Sequence, residues 1–216
     1  MAKLLTLAMS EMSPKNNKYK IIAYWIEQNK IISIDIDEEN FKDINKHIVW
    51  DIGAVTQAEQ VIAKDNLFEI NGDMILLENY NKRQLKEILD RDLIKLSVFK
   101  RNQNINYCIT KVKSIYDIRN LFDERDLFRS KVTVYDGSDE EKNIKIKDYR
   151  WIKYWNYIYG KDIEKKSKEQ YEELFINKEI YLIMYRFIDN KNQKNYYSRK
   201  ISYRGDNYWI AGIHYF

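Results

Sequence analysis

Histidine and cysteine, the side chains most often used in catalysis and metal binding, are few in this sequence and far apart. His47 and His214 are the two histidines, and Cys108 is the one cysteine. The sequence contains no HxxxH, HxH or CxxC motif, which are common spacings of zinc ligands. The apolar neighbours of Cys108 and the aromatic neighbours of His214 favour a buried, inert thiol and a strand histidine. A Cys–His catalytic pair is the alternative interpretation.

Carboxylates and glycines offer little more chemistry. Asp35 and Asp37, followed by Glu38 and Glu39, could bind Mg²⁺, but a solvated turn is the more common role of such a group at the end of a strand. The six glycines form neither a GxGxxG nor a GxxxxGK[ST] phosphate loop. We therefore expect no enzymatic activity, no catalytic residues, no bound metal and no cofactor.

Basic and aromatic residues alternate near the end of the chain. Residues 178–216 carry a net charge of +4 and hold ten of the 31 aromatic residues. Single-stranded nucleic acid needs this mixture, because bases stack on rings while Lys and Arg neutralise phosphates. The predicted nucleic-acid-binding residues are Arg186, Lys194, Tyr196, Tyr197, Arg199, Lys200, Tyr203 and Arg204. In the alternative, the rings fill a core, the charges solvate its outside, and AT-rich codons explain the abundance of Lys and Tyr.

A second candidate surface is the helix predicted over residues 148–159. Asp148 is its expected N-cap, and the face that includes Trp151 and Trp155 is unusually aromatic. Core packing explains the tryptophans, but Trp, Tyr and Arg also dominate the energetics of protein interfaces. The predicted partner-binding residues are Arg150, Trp151, Tyr154 and Trp155.

Short strands predominate in the elements that must position these residues. In the first half, apolar and β-branched runs predict strands from Lys3 to Met9, Tyr19 to Trp25, Ile31 to Ile36 and His47 to Val55. Asn71-Gly72-Asp73 predicts a hairpin turn. Asn81 is the expected N-cap of a helix that presents Leu85, Ile88 and Leu89 on one face.

The second half has a similar pattern. The predicted strands are Ile105 to Ile115, Lys131 to Tyr135, Ile144 to Ile146, Glu179 to Ile188, Tyr196 to Tyr203 and Tyr208 to Tyr215. Asp136 and Gly137 predict a turn. Many short strands at roughly ten-residue spacing favour small barrels over a parallel sheet.

The two halves differ in charge. The chain has 216 residues and a formal net charge of +4, of which residues 1–103 contribute −1 and residues 104–216 contribute +5. It contains no apolar run of about 20 residues, so we expect a cytoplasmic protein without a membrane association. We place a domain boundary in the polar stretch near residues 100–104, which gives an N-terminal domain, 1–102, and a C-terminal domain, 103–216.

Several segments resemble the prokaryotic dual OB-containing domain family. They are Leu5-Thr6-Leu7-Ala8-Met9-Ser10, Lys20-Ile21-Ile22-Ala23, Gln57-Ala58-Glu59-Gln60, Ile144-Lys145-Ile146-Lys147-Asp148 and Tyr208-Trp209-Ile210-Ala211-Gly212-Ile213. The resemblance implies tandem OB-like barrels that bind nucleic acid, often encoded near mobile-element and defence genes. Met9, Thr56 and Gln60 stand where that family has Asn, His and Asn. The resemblance therefore carries over the fold and not the polar functional residues.

Together these observations predict a β-rich α+β protein of two small OB-like barrels in tandem, with a few short helices. The predicted function is non-enzymatic binding of nucleic acid, with a single-stranded or RNA-containing substrate favoured, in a prokaryotic or phage defence-related nucleoprotein complex. The alternative is a protein-protein interaction module or inhibitor that binds a larger machine through an aromatic surface. Weak salt dependence of binding would indicate this alternative.

Overall fold

The described residues of the chain form a five-stranded barrel followed by a six-stranded sheet. A computed structural model describes residues 1–10, 18–43, 45–64, 67–122, 128–159, 172–186 and 208–216. The barrel strands are β1 (Ala2–Met9), β2 (Lys18–Trp25), β3 (Lys30–Asp37), β4 (Ala54–Lys64) and β5 (Leu67–Asn79). The sheet strands are β6 (Tyr107–Val112), β7 (Ser114–Phe122), β8 (Phe128–Tyr135), β9 (Glu140–Ile146), β10 (Ile180–Arg186) and β11 (Tyr208–Tyr215).

In the part of the chain that the structure describes, three helices accompany these strands. They are α1 (Lys82–Leu89), α2 (Leu96–Arg101) and α3 (Tyr149–Tyr159), with short 3-10 turns at Glu38–Phe41 and Glu173–Phe175. The barrel is closed in the order β1-β2-β3-β5-β4, and the sheet has the order β6-β10-β11-β9-β8-β7. These observations confirm the predicted β-rich α+β class with two OB-like units. The domain boundary at residues 102 and 103 stays a prediction.

The sequence prediction of a strand from His47 to Val55 was wrong. β4 begins only at Ala54, and Ile48 makes a single bridge to Lys42. The intervening residues Val49 and Trp50 are fully buried in the barrel core, where the Trp50 Nε1 donates a hydrogen bond to the Asn40 carbonyl. An apolar run that plugs a barrel buries its side chains as a strand does, so composition does not distinguish the two.

Of the two turns predicted from the sequence, one is absent from the structure and one is present. Asn71-Gly72-Asp73, predicted as a hairpin turn, lies inside the continuous strand β5. Gly72 has a positive φ of 86° beside a register shift between β4 and β5. The ability of glycine to adopt a positive φ is therefore used here to form a β-bulge and not a hairpin turn. The turn at Asp136 and Gly137 is confirmed, because the Asp136 amide bonds the Asp139 carbonyl and Gly137 has a φ of 101°.

The predicted strand from Ile105 to Ile115 is divided into two. β6 ends at Val112 and β7 begins at Ser114. Between them, the Lys113 amide donates to the Tyr135 carbonyl at 2.8 Å, so the chain has already turned toward β8 at this point. The apolar pattern continues across the break because both strands contribute to one core.

Buried apolar side chains of the described residues form three cores. One fills the barrel around Leu4, Ile21 and Ile34. A second lies between one face of the six-stranded sheet and the segments that contain Phe99 and Phe175. The third contains residues of both units and of α1, namely Leu5, Leu7, Ala8, Ile22, Tyr24, Val55, Leu85, Ile88, Leu89, Ile109, Tyr181, Ile183, Tyr185 and Ala211. The barrel therefore packs against part of the second face of the sheet.

Candidate nucleic-acid interface

The two faces of the six-stranded sheet have different environments. Alternate residues such as Val132, Ile144, Ile146 and Ile210 point into the sheet's own core. Their neighbours along each strand point to the opposite face. On that face, β6, β10 and β11 contribute residues to the core shared with the barrel. Arg119 and Lys145, on β7 and β9, are instead exposed.

Aromatic side chains occupy the half of this face nearest the barrel. Tyr185 on β10 is paired with Tyr107 on β6 and with Trp209 on β11. The ring centroids of Tyr185 and Trp209 are 4.9 Å apart. Burial raises the pKa of Tyr185 to about 12, and the nearby Asp35 carboxylate and Tyr107 add to the shift. Tyr185 is therefore a neutral, packed ring, and Trp209, which is half-buried, lies at the margin of this aromatic half.

Cations occupy the other half of the same face. Lys145 on β9 is directly opposite Lys131 on β8, and Lys131 is directly opposite Arg119 on β7. Lys145 and Arg119 are exposed and Lys131 is partly exposed. We call these three residues the cation row. Neighbouring strands lie about 4.8 Å apart, so the row spans roughly 10 Å.

Lys147 connects the two halves. The pairing of Ile210 with Ile146 brings β11 alongside β9, with Trp209 next to Lys145 and Lys147 on the opposite face. The Lys147 ammonium lies 4.5 Å from the centre of the Trp209 ring, a cation–π distance. One line of side chains thus runs across the sheet from rings to cations, and its exposed part can contact both a planar base and phosphate oxygens.

Lysines on the barrel are in a different electrostatic setting. Lys20 bonds Asp35 at 2.5 Å, and Lys18 pairs with Asp37 at 3.4 Å. The Lys20 ammonium also lies 5.3 Å from the centre of the Tyr185 ring. These two lysines are neutralised by β3 carboxylates, in keeping with the net charge of −1 in the first half of the chain.

Arg186, a predicted nucleic-acid-binding residue, is buried. Its guanidinium donates to the carbonyls of Phe99 and Ile105 and, at 2.9 Å, to the Gln103 Oε1. It also stacks 4.7 Å from the centre of the Phe99 ring. The structure therefore gives Arg186 a role in tying β10 to the segment after α2.

The other seven predicted nucleic-acid-binding residues lie outside the described residues. They are Lys194, Tyr196, Tyr197, Arg199, Lys200, Tyr203 and Arg204. The strand predicted from Tyr196 to Tyr203 is also outside them. In the sequence this segment lies between β10 and β11.

The predicted partner-binding residues on α3 have mixed environments. The Trp151 ring stacks on Phe175, 6.4 Å between centroids, and its Nε1 donates to the Ser130 hydroxyl, so it belongs to the core of the sheet. Arg150 donates to the Ile213 carbonyl at 3.2 Å. Tyr154 is 42% exposed. The side chain of Trp155 is outside the described part of the structure.

Asp148 and His214 tie the end of the chain to its neighbours. The Asp148 carboxylate caps α3 through the Arg150 amide and accepts a second bond from the Ile213 amide at 2.9 Å. Its burial raises its pKa, while Arg150 and the amide donors act in the opposite direction. The His214 Nε2 lies 2.7 Å from the Leu7 carbonyl, and burial lowers the pKa of this histidine to about 3. The neutral ring must therefore carry its proton on Nε2.

Cys108 is buried, and this burial raises the pKa of its thiol to about 12. Within the described ranges, no group of three His, Cys, Asp or Glu side chains is arranged to hold a metal ion.

The longest described helix has 11 residues, and none of the described helices combines the length and apolar character needed to cross a membrane.

Sequence reasoning missed the cation row and Trp209 as a single surface. The alternation Ile144-Lys145-Ile146-Lys147 predicted a strand with lysines on one side. Lys131 and Arg119 stand on other strands, and β9 lies next to β11 although β10 precedes β11 in sequence. Only the registers between strands bring these residues into one line.

No protein-family model matches the sequence, and no curated protein matches it. Among solved structures, the p204 HINb domain aligns over 99% of this chain and 95% of its own, with 6% identity and a TM-score of 0.41. A murine DNA-binding protein bound to double-stranded DNA aligns over 68% of this chain and 73% of its own, with 10% identity and a TM-score of 0.37. The tetrameric p202 HIN2 aligns over 68% and 69%, with 10% identity and a TM-score of 0.33. Similarity of this degree does not establish a shared function or site.

Proposed function

We propose that this protein binds nucleic acid through the cation row and Trp209. The observation that carries the proposal is the placement of Lys145, Lys131 and Arg119 on neighbouring strands, in line with the half-buried ring of Trp209. Proteins that bind single strands combine a basic track for the backbone with rings on which bases stack. The excess positive charge of the second half of the chain supports the same surface.

Each side chain has a defined part in this proposal. Arg119, Lys131 and Lys145 donate hydrogen bonds to phosphate oxygens. Trp209 offers a ring face to one base. Because the Lys147 ammonium lies over that ring in the unbound protein, a stacking base takes its place and Lys147 turns to a phosphate.

The finer features of the function belong to the same proposal. A single-stranded or RNA-containing ligand is favoured because its bases are free to stack. Tyr197, Arg199 and Lys200, which lie between β10 and β11 in the sequence, also contribute to binding in this proposal. The resemblance to the prokaryotic dual OB-containing family supports a cytoplasmic role in a prokaryotic or phage defence-related complex, in which the exposed Tyr154 contacts a protein partner.

We further propose that binding occurs without catalysis. The Cys108 thiol is buried and its pKa is raised to about 12, so it is protonated at neutral pH. The neutral His214 donates to a backbone carbonyl. These two side chains, the strongest catalytic candidates in the sequence, are thus engaged in the fold.

Salt dependence of oligonucleotide binding tests the proposed surface. Replacing Lys131 and Lys145 together by Gln removes two phosphate contacts from the cation row. The plot of log affinity against log salt has a negative slope, and its magnitude should decrease by about 1.4, or roughly 0.7 per lost contact on a single strand. The measurement is fluorescence anisotropy of a labelled single strand over a series of salt concentrations.

The matched control replaces Lys3 and Lys82, exposed lysines of the first half, by Gln. It makes the same change in net charge and should keep the wild-type slope. The proposal fails if the wild-type protein does not bind at low salt or if both double variants reduce the slope equally. Binding to a protein partner with little salt dependence would instead support the interaction-module alternative.

A further inference from the structure

The residues directly opposite lysines on neighbouring strands differ in charge between the barrel and the sheet. On the barrel, Lys20 is directly opposite Asp35 and Lys18 is directly opposite Asp37, and both pairs form salt bridges. On the sheet, the residue directly opposite Lys131 is Lys145 on one side and Arg119 on the other. The same kind of position therefore holds an acid in one unit and a second cation in the other.

Like charges at directly opposed positions destabilise a pair of strands. Asp117 offsets part of this repulsion by binding Arg119 at 2.9 Å. Lys131 and Lys145 form no ion pair with any residue in the described ranges. The centre of the cation row thus combines two opposed lysines with no described carboxylate between them.

We propose that the cation row is a binding site for a chain of linked phosphate groups, and that the bound anion relieves the repulsion between Lys131 and Lys145. This inference rests on the proposed nucleic-acid function for its natural ligand and adds that phosphate recognition here is independent of the bases. Three cations spread over roughly 10 Å match several consecutive phosphate groups better than a single small anion. The phosphodiester backbone of nucleic acid and free inorganic polyphosphate share this chemistry.

The proposal predicts that stability and binding change in opposite directions. In the Lys145→Glu variant, a carboxylate faces Lys131 and reproduces the arrangement that Lys20 and Asp35 have on the barrel. The ligand-free variant should melt about 2–4 °C higher than the wild-type protein, because repulsion is replaced by attraction. The same variant should lose the anion site.

Thermal melts with and without tripolyphosphate provide the first measurement. Tripolyphosphate should raise the melting temperature of the wild-type protein and have no such effect on Lys145→Glu. The control is Lys142→Glu, which makes the same charge change on β9 but breaks an ion pair with Glu140. That control should melt no higher than the wild-type protein and keep the response to tripolyphosphate.

Binding of a short single strand and of an abasic phosphodiester of equal length provides the second measurement. Lys145→Glu should weaken both by at least about tenfold, since each charge-assisted bond contributes about 1.5–3 kcal/mol. Equal responses of Lys145→Glu and wild type to tripolyphosphate would overturn the inference. If tripolyphosphate binds at the row but neither oligomer does, the anion site stands and the nucleic-acid function is wrong. If both oligomers bind Lys145→Glu as tightly as wild type, the row is wrong and nucleic acid binds elsewhere.

Discussion

At the scale of single residues, nearby hydrogen-bond acceptors decide whether a basic side chain stabilises the fold or is available to bind a ligand. The Arg186 guanidinium donates hydrogen bonds to the carbonyls of Phe99 and Ile105 inside the fold. Lys145 projects from an exposed strand position toward other cations. Both residues are basic and stand near aromatic residues in sequence, yet the first is structural and the second is available to a ligand.

His214 is a second residue whose surroundings determine its behaviour. Its pKa is lowered to about 3 by burial and by the charge of Arg150, whereas an unfolded histidine titrates near 6.5. The folded state therefore excludes a proton that the unfolded state accepts between these two values. Stability due to this residue is complete above pH 6.5 and declines as the pH falls toward 3.

Replacing His214 by Gln should remove this part of the pH dependence. For the wild-type protein, His214 should lower the free energy of unfolding by about 2 kcal/mol between pH 7.5 and pH 5. The variant should lack that loss, because Gln does not titrate. Urea unfolding at the two pH values measures the difference, and groups such as Asp148 cancel since both proteins contain them. An equal decline in both proteins would contradict the assignment.

At the scale of elements, local signals explain helix α1 well. The Asn81 side chain accepts from the Gln84 amide at 3.0 Å, and the Gln84 side chain accepts from the Asn81 amide at 2.9 Å. This capping box satisfies two amides that have no partner inside the helix. The helix then buries Leu85, Ile88 and Leu89 in the core shared by both units.

The Asn81→Ala variant should lower the free energy of unfolding by about 1 kcal/mol, because the first turn of α1 loses its side-chain acceptor. Asn81→Asp is the matched control, since a carboxylate accepts the same bond and also favours a helix N-terminus. Chemical denaturation of the three proteins measures the effect. A loss of similar size in both variants would show that the cap geometry is not the cause.

At the scale of the whole molecule, close packing joins the barrel to the sheet. Gly212 on β11 lies against β1, and a Cβ at this position would be 2.7 Å from the Ala8 Cβ. Nearby, the Tyr181 hydroxyl donates to Asp90 at 2.6 Å, and Lys86 bridges Asp90 and Glu179. Apolar and polar contacts thus both cross between the units.

Replacing Gly212 by Ala should destabilise the protein by about 1–3 kcal/mol, because the added methyl group overlaps Ala8 in a packed layer. Adding Ala8→Gly to that variant removes the opposing methyl group and should restore part of the loss. Thermal or chemical unfolding of the two variants and the wild-type protein measures this. If the second substitution only adds to the loss, the contact between β1 and β11 is not the source of the effect.

The amino-acid sequence alone determined what depends on neighbours along the chain. The α1 cap at Asn81, the turn at Asp136 and Gly137, the first three barrel strands and the alternation around Lys145 were all predicted, because periodicity and capping are local properties. The β-rich α+β class was predicted from the spacing of the short strands, and the OB-like units were predicted from the resemblance to the prokaryotic dual OB-containing domain family. The segment from His47 to Val55 was not, since a buried plug and a strand have the same apolar composition.

Only the tertiary structure decided which basic side chains remain exposed and which are buried in hydrogen bonds with the protein. The cation row consists of residues from three strands, and it exists because the registers of β7, β8 and β9 align Arg119, Lys131 and Lys145. Register and strand order are set by how side chains far apart in sequence fill a common core. A single sequence specifies that outcome through the sum of many small packing energies, and no local pattern contains it.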